Sequence, residues 1–277
     1  MKQYVDKSIE LPGRVTLQYV EQGDSSGRPV VLLHGVTDSW RSFEPVLPHL
    51  PNSVRAFALS QRGHGDSFRP ETGYHPRDFA ADVAAFMDAL ELNSAVIVGH
   101  SMGSYVAQCF AIDYPARTAG LVLVGSFINC RDNPSVVEFW DSTVSKLTDP
   151  IGLDIARDFQ VSTLARDVPQ EFLDRVIEES LKVPARVWKA AFEGLLEADF
   201  SEELGGIKAP TLIVWGDHDA YFPRGDQDAL TSAIAGSQLT VYGGAGHALH
   251  WEEPARFASD LTDFVETQAG RKHAPGP

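Results

Sequence analysis

Short β-rich runs recur along this chain, and most of them are continuous apolar stretches without alternation. They are "RVTLQYV" (14–20), "PVVLLHG" (29–35), "VRAFAL" (54–59), "AVIVG" (95–99), "LVLVG" (121–125), "TLIVWG" (211–216) and "QLTVYG" (238–243). A strand with one face in water alternates polar and apolar side chains. An unbroken apolar strand is therefore covered on both faces, as in a parallel sheet flanked by helices. The stretches between the runs supply those helices. "HPRDFAADVAAFMDALEL" aligns Phe79, Val83, Phe86, Met87 and Leu90 on one stripe, with Pro76 suited to the first turn. A second helix opens at Ser101 and ends before Pro115, and "PARFASDLTDFVETQ" aligns Phe257, Leu261, Phe264 and Val265. Strand, helix, strand in succession predicts an α/β fold with a doubly wound, mostly parallel sheet.

One region breaks the alternation. Residues 131–206 hold no convincing strand, but several amphipathic segments: "VVEFWDSTVSKL", "PQEFLDRVIEESLK" and "PARVWKAAFEGLLEADF". A helical insertion of this size, entering before the strand at Thr211, is expected to cap the strand ends, where open α/β sheets bind ligands. The expected division is a core of 1–130 and 207–270, a helical cap of 131–206, and a flexible polar tail of 271–277.

Charge narrows the partners. Lys and Arg number 23 against 38 Asp and Glu, a formal net charge of -15. That field repels phosphate backbones and anionic lipid surfaces, so a small molecule is the expected partner, with no nucleic acid and no membrane. The N-terminal "MKQYVDKSIELPG" has no apolar signal core, and no apolar run approaches the roughly eighteen residues that span a bilayer, so a cytoplasmic location is expected. Cys109 and Cys130, the two cysteines, read as reduced, buried thiols with no metal role.

The stretch "AVIVGHSMGSYVAQCF" then raises a chemical question. Ser101 has a glycine two residues to either side, follows an apolar strand and opens a helix. That is the context in which G-x-S-x-G means a tight turn presenting an exposed hydroxyl. A serine nucleophile needs a base, a group to orient the base, and donors for an oxyanion. His247, in the Gly-rich "YGGAGHALHWEEP" loop, is the base candidate, with His250 its rival and the more natural pocket-wall residue. The acid should come between nucleophile and base, and "VWGDHDAYFP" offers Asp219, with Asp217 left as a turn or capping carboxylate. "SFI" (126–128), after the strand ending at Gly125, has no carboxylate. The Met102 amide at the helix N-terminus supplies one oxyanion donor and Val36, after "PVVLLHG", the other. His34 and Gly35 shape that second loop, His34 as a buried supporting histidine, and His100 supports the serine turn.

With these residues in view, the chain resembles the α/β-hydrolase superfamily from about residue 15 to 265. The resemblance rests on "LLHG" (32–35), "QRGHGDS" (61–67), "GHSMGS" (99–104), "PTLIVWGDHD" (210–219) and "GAGHALHWEEP" (244–254). It implies the same assignments: Ser101, Asp219 and His247 as the triad, and Val36 and Met102 as oxyanion amides. One position departs from the family, which often has Asp before this R-G-x-G-x-S loop; here it is Ser60, a change that bears on local hydrogen bonding or pocket shape. Members with Asp at the nucleophile position open epoxides or displace halide. Ser101 points instead to ester hydrolysis through an acyl-enzyme, lactones included, with no cofactor. Phe139, Trp140, Trp188, Phe192 and His250 are the candidate pocket residues, drawn from an insertion also rich in Phe159, Leu164, Phe172 and Leu195. Two other readings use the same residues: a C–C bond hydrolase or cofactor-free perhydrolase of the haloperoxidase type, and a non-catalytic relative that binds a small ligand.

Overall fold

The computed structural model describes residues 4–13 and 15–271. Its strands are β1 (Lys7–Leu11), β2 (Val15–Gln22), β3 (Arg28–Leu33), β4 (Val54–Ser60), β5 (Ala95–His100), β6 (Thr118–Val124), β7 (Thr211–Gly216) and β8 (Gln238–Tyr242). They form one sheet in the order β1-β2-β4-β3-β5-β6-β7-β8. β1 pairs antiparallel with β2, and β2 with β4; every other pairing is parallel.

The unbroken apolar strands are covered on both sides, and their side chains still alternate between two cores. Val31, Leu33, Ile97, Leu121, Leu123 and Ile213 face one core, with Phe79, Phe86 and Phe110 from helices α1 (Pro76–Ala89) and α2 (Met102–Asp113). Val30, Leu32, Val96, Val98, Val122 and Val214 face the other, with Phe257, Leu261 and Val265. Each such side chain contributes roughly 1.5–3 kcal/mol when fully buried, which fixes both faces of the sheet. His75 caps α1, its ring accepting from the Arg77 amide, and Pro76 occupies the first turn, where a missing N–H costs nothing.

Between β6 and β7 the chain runs through α3 (Pro134–Ser142), α4 (Leu153–Ser162), α5 (Gln170–Lys182) and α6 (Ala185–Glu197), with no strand. The segment "VVEFWDSTVSKL" is broken at Thr143 into α3 and a short 3-10 turn. Three elements carry weak apolar signals and are absent from the sequence reading: β1, mostly exposed; α4, burying Ala156 and Gln160; and α7 (Arg224–Ala233), burying Gln227 and Leu230. The short α8 (Leu249–Glu252) and the long α9 (Pro254–Arg271) complete the fold. Arg14, and the polar tail beyond Arg271, lie outside the described residues. No helix among the described residues is long and apolar enough to cross a membrane.

Candidate active site

Ser101 sits where β5 hands over to α2, with φ +52° and ψ −119°, a conformation a non-glycine residue rarely adopts. The turn is held by the Ser101 amide donating to the Val124 carbonyl (3.0 Å) and by the Ser104 hydroxyl donating to the Ser101 carbonyl (2.6 Å). The two flanking glycines make the approach possible: a Cβ on Gly99 would collide with the Gly103 carbonyl, and one on Gly103 with the Leu33 carbonyl. The strand, the turn and the helix therefore touch backbone to backbone, and the serine side chain is pushed outward into a cavity.

His247 lies on the loop between β8 and α8, and Asp219 on the turn after β7. The structure brings them together, with His247 Nδ1 2.8 Å from Asp219 Oδ2. Both side chains are almost wholly shielded from solvent. The other Asp219 oxygen accepts from the Tyr221 and Phe222 amides at 2.9 and 3.1 Å, which locks the carboxylate's orientation. Asp217 points elsewhere and accepts from the Gly244 amide, tying the β7 turn to the histidine loop. Glu252 pins that loop from the other side, accepting from the Gly246 amide with one oxygen and from Ala165 and Arg166 amides of the insertion with the other.

The amides of Val36 and Met102 have no acceptor among the described residues, at the loop after β3 and the start of α2. His34 supports the first of these from below. Its Nε2 accepts from the Gln61 amide (2.9 Å), so Nδ1 carries the proton and donates to the Gly35 carbonyl at 2.7 Å. Burial, reinforced by neighbouring His64, holds the His34 ring far below the ordinary histidine range and keeps it neutral. Ser60, where the resembled family often has Asp, is buried and accepts from the Trp40 amide at 3.2 Å.

Ser101 and His247 line one cavity of about 570 Å³, counted with its open mouth. From the sheet side its wall includes Gly35, Val36, His100, Phe127, Tyr221, Phe222 and Trp251; from the insertion, Val136, Phe139, Phe159, Phe192 and Leu195. Three pocket expectations need correction. Trp140 packs half-buried against the core and does not reach the lining. Trp188 is fully buried behind the wall, its ring edge-on to Phe159 (5.4 Å) and its Nε1 donating to the Ser180 carbonyl. His250 lies beneath the cavity, with Nε2 3.1 Å from the Ser42 hydroxyl and its ring against Phe43. Burial pushes it down to about 3, so it stays neutral there. His100 lies between His247 and His250, ring centroids 4.8 and 4.4 Å away, with its Nε2 donating to the His247 carbonyl.

Sequence reasoning missed Asp38. It lines the cavity on the same loop as Val36 and is only 3 % exposed. Gln160 of α4 donates from Nε2 to Asp38 Oδ1 (2.8 Å) and to the Ser180 hydroxyl of α5 (2.7 Å). That hydroxyl is 2.9 Å from the Thr37 hydroxyl, and Thr37 itself has φ +69°. This buried knot ties the loop after β3 to two helices of the insertion. Burial, with a smaller push from the Glu179 carboxylate, raises the Asp38 carboxyl to about 7, against the pull of its Gln160 and Ser42 hydrogen bonds. The one signal in the sequence was its place, four residues after His34 and two after Val36.

Among the described residues no three His, Cys, Asp or Glu side chains converge as a metal-ligand set. Cys109 and Cys130 are free and buried. An arrangement of this kind, a hydroxyl on a strained turn, an imidazole oriented by a carboxylate, and two unused amides around an apolar cavity, can form and break an acyl bond.

A family model of the alpha/beta hydrolase fold matches residues 28–254. A 2-hydroxymuconate semialdehyde hydrolase from a Pseudomonas strain is 30% identical over 254 residues, covering 87% of each chain. A non-heme chloroperoxidase from Streptomyces lividans is 29% identical over 275 residues, covering 90% of this chain and 95% of that one. Among solved structures, a thermophilic esterase from Thermogutta terrifontis superimposes with a TM-score of 0.83 at 26% identity, over 96% of this chain and 99% of the other.

Proposed function

The chain belongs to the α/β-hydrolase family, and from that premise and the cavity geometry we propose that it hydrolyses carboxylic esters, lactones included, through Ser101, His247 and Asp219. The observation that carries the reading is the 2.8 Å contact between His247 Nδ1 and Asp219 in the cavity that Ser101 also lines. With Nδ1 donating to the carboxylate, Nε2 is left to accept the serine proton. Ser101 Oγ attacks the carbonyl carbon while its proton passes to His247, and the Val36 and Met102 amides receive the oxyanion. Collapse breaks the C–O bond and the alcohol departs with the proton from the imidazolium. Water then attacks the acyl-serine, gives its proton to His247, and the acid is released with Ser101 restored. One oxyanion donor is worth about 10²–10³ in kcat in such sites.

In this reading residues 131–206 act as a cap that closes the apolar side of the cavity, over a core of 1–130 and 207–270, and the enzyme works in the cytoplasm on small molecules. A second reading draws on the relatives named as a chloroperoxidase and a C–C hydrolase: the same three residues could run perhydrolysis or C–C cleavage. The test is hydrolysis of p-nitrophenyl esters by the wild type and Ser101→Ala, with fluorophosphonate labelling alongside. Ester turnover lowered on the order of 10⁶-fold in the variant supports the proposal. Labelling at Ser101 without ester turnover sinks ester hydrolysis and favours the second reading. Neither labelling nor turnover points to a ligand-binding protein.

A further inference from the structure

Behind the catalytic cavity lies a second hollow. It is a surface groove of about 840 Å³, counted with its open mouth, whose walls include Pro45, Pro48, Pro169, Phe172 and Pro254. Trp251 lines both this groove and the catalytic cavity. Only 2 % of it is exposed, so it stands as a wall between the two spaces and presents little surface to solvent. Its indole is fixed: Nε1 donates to the Ser42 carbonyl at 2.8 Å and lies 3.1 Å from the Ser42 hydroxyl. On the groove side the ring of Phe172 meets it edge-on at 5.4 Å. A buried aromatic ring held at both its polar and apolar ends does not swing aside cheaply, because a rotated indole leaves a buried N–H without an acceptor.

We infer that Trp251 is the specificity-determining partition of the ester site: it ends the cavity at compact acyl or alkyl groups and shuts linear chains out of the proline-lined groove behind it. The inference rests on the ester reading above and deepens it by naming the substrate class, esters whose groups fit within the one aromatic-walled cavity. The physical reason is continuity. Apolar side chains make up most of both walls. The groove's charged residues Glu44, Glu171 and Arg175 are ion-paired with one another, and the cavity's Asp38 is bonded to Gln160. Once the indole is removed, a methylene chain can therefore pass from one space into the other along apolar wall. Each methylene so accommodated adds apolar burial that favours the longer chain. With the indole in place the groove is closed to those methylenes from the cavity side.

The experiment measures kcat/KM for p-nitrophenyl acetate and p-nitrophenyl laurate with the wild type, Trp251→Leu, Trp251→Ala and Phe172→Ala. The wild type should favour acetate. Both Trp251 variants should raise the laurate-to-acetate ratio at least tenfold, and Phe172→Ala, which widens only the groove, should leave it where it is. A wild type that prefers laurate, an unchanged ratio in Trp251→Leu, or a ratio raised by Phe172→Ala alone would each overturn the partition. Trp251→Leu keeps an apolar side chain in place, so the test stands if the alanine variant fails to fold. Equilibrium binding of n-dodecanol is measured in parallel with Ser101→Ala and Ser101→Ala/Trp251→Leu. Tighter binding by tenfold or more in the double variant supports the partition even if no ester is turned over, in which event the ester reading alone falls. Equal binding sinks the partition whatever the esterase result.

Discussion

The two walls of the cavity are built on different principles. The strand-end wall is made of turns after β3, β5 and β7 and the loop after β8, and its polar groups are held by specific bonds: Asp219 by two amides, His34 by the Gln61 amide, Ser101 by the Val124 carbonyl. The insertion wall is largely aromatic packing, such as Phe139 stacked on Phe159 at 5.4 Å and Phe192 edge-on to Phe139 at 5.7 Å. In the first wall a change of one atom removes a bond and leaves a buried group unpaired. In the second, another apolar side chain of similar volume fills the same space at modest cost. On the proposed reading, reaction chemistry belongs to the strand ends and, Trp251 apart, substrate shape to the insertion, and the difference can be tested by attacking each wall and then the seam.

The largest effect is expected at the strand ends. Asp219→Asn keeps the size and both amide bonds within reach, but an amide in place of the carboxylate favours the wrong tautomer of His247. It should lower kcat on the order of 10⁴-fold, with KM little changed. Asp217→Asn retains an oxygen for the Gly244 amide and should cost little. Steady-state kinetics of both variants decides; the reverse ranking would move the orienting role from Asp219 to Asp217.

That contrast also explains what the sequence disclosed. Turns such as 99–103 and 216–219 must satisfy backbone sterics with particular residues, so their chemistry is legible residue by residue. Gly99 and Gly103 are written where the chain crosses itself. The apolar core strands were equally plain, because burial on both faces leaves no polar alternation. The insertion was readable only as helices: a stripe of Phe and Trp looks the same whether it faces a cavity or packs behind it, which is why Trp188 and Trp140 were misplaced and Phe159 was not singled out. Asp38 was hidden for another reason. Its burial depends on Gln160, 122 residues away, and no local pattern announces a polar residue whose partner comes from a distant helix. His250, next to a tryptophan at the start of a helix, gave no sign that Phe43 would enclose it.

Beneath the strand-end wall lies a second consequence of its polarity. His34, His64, His100 and His250 are all buried and all pushed below the ordinary histidine range by burial, His64 to about 4 and His250 to about 3. Below about pH 6.5 the unfolded chain binds protons that the folded chain refuses, so stability falls as pH falls from there toward 4. Four such groups give a slope of up to about 5 kcal/mol per pH unit, against a typical total of about 5–15 kcal/mol. Asp38, which takes up a proton in the folded state over the same range, offsets one of the four. Urea unfolding at pH 7, 6 and 5 should show the midpoint dropping steeply. His250→Asn, neutral throughout, should flatten the slope by about one proton. A midpoint indifferent to pH between 7 and 5 would mean that these rings are not held neutral.

The smallest expected effect lies at the seam, where the two walls meet through Asp38 and Gln160. The Asp38 carboxyl, raised from its ordinary 3.8 to about 7, binds a proton in the folded chain where the unfolded chain has lost it. Its stabilising contribution is therefore complete below about pH 4 and lost as pH rises through 7. At pH 8 the wild type carries a buried carboxylate hydrogen-bonded by the neutral Gln160 amide and Ser42 hydroxyl. Asp38→Asn preserves an acceptor for the Gln160 Nε2 and removes the charge. It should be the more stable protein at pH 8, by up to about 4 kcal/mol, with the advantage shrinking to nothing near pH 4. Thermal melts of both proteins across that range give the difference directly, and a difference independent of pH would rule out an elevated Asp38. The same substitution bears on activity. A carboxylate lining the cavity two residues from the Val36 amide opposes an oxyanion forming there, so wild-type kcat should decline above pH 7 while Asp38→Asn holds its plateau. A shared decline would place the alkaline limb elsewhere and leave Asp38 a tie between the walls with no hand in the charge balance of the site.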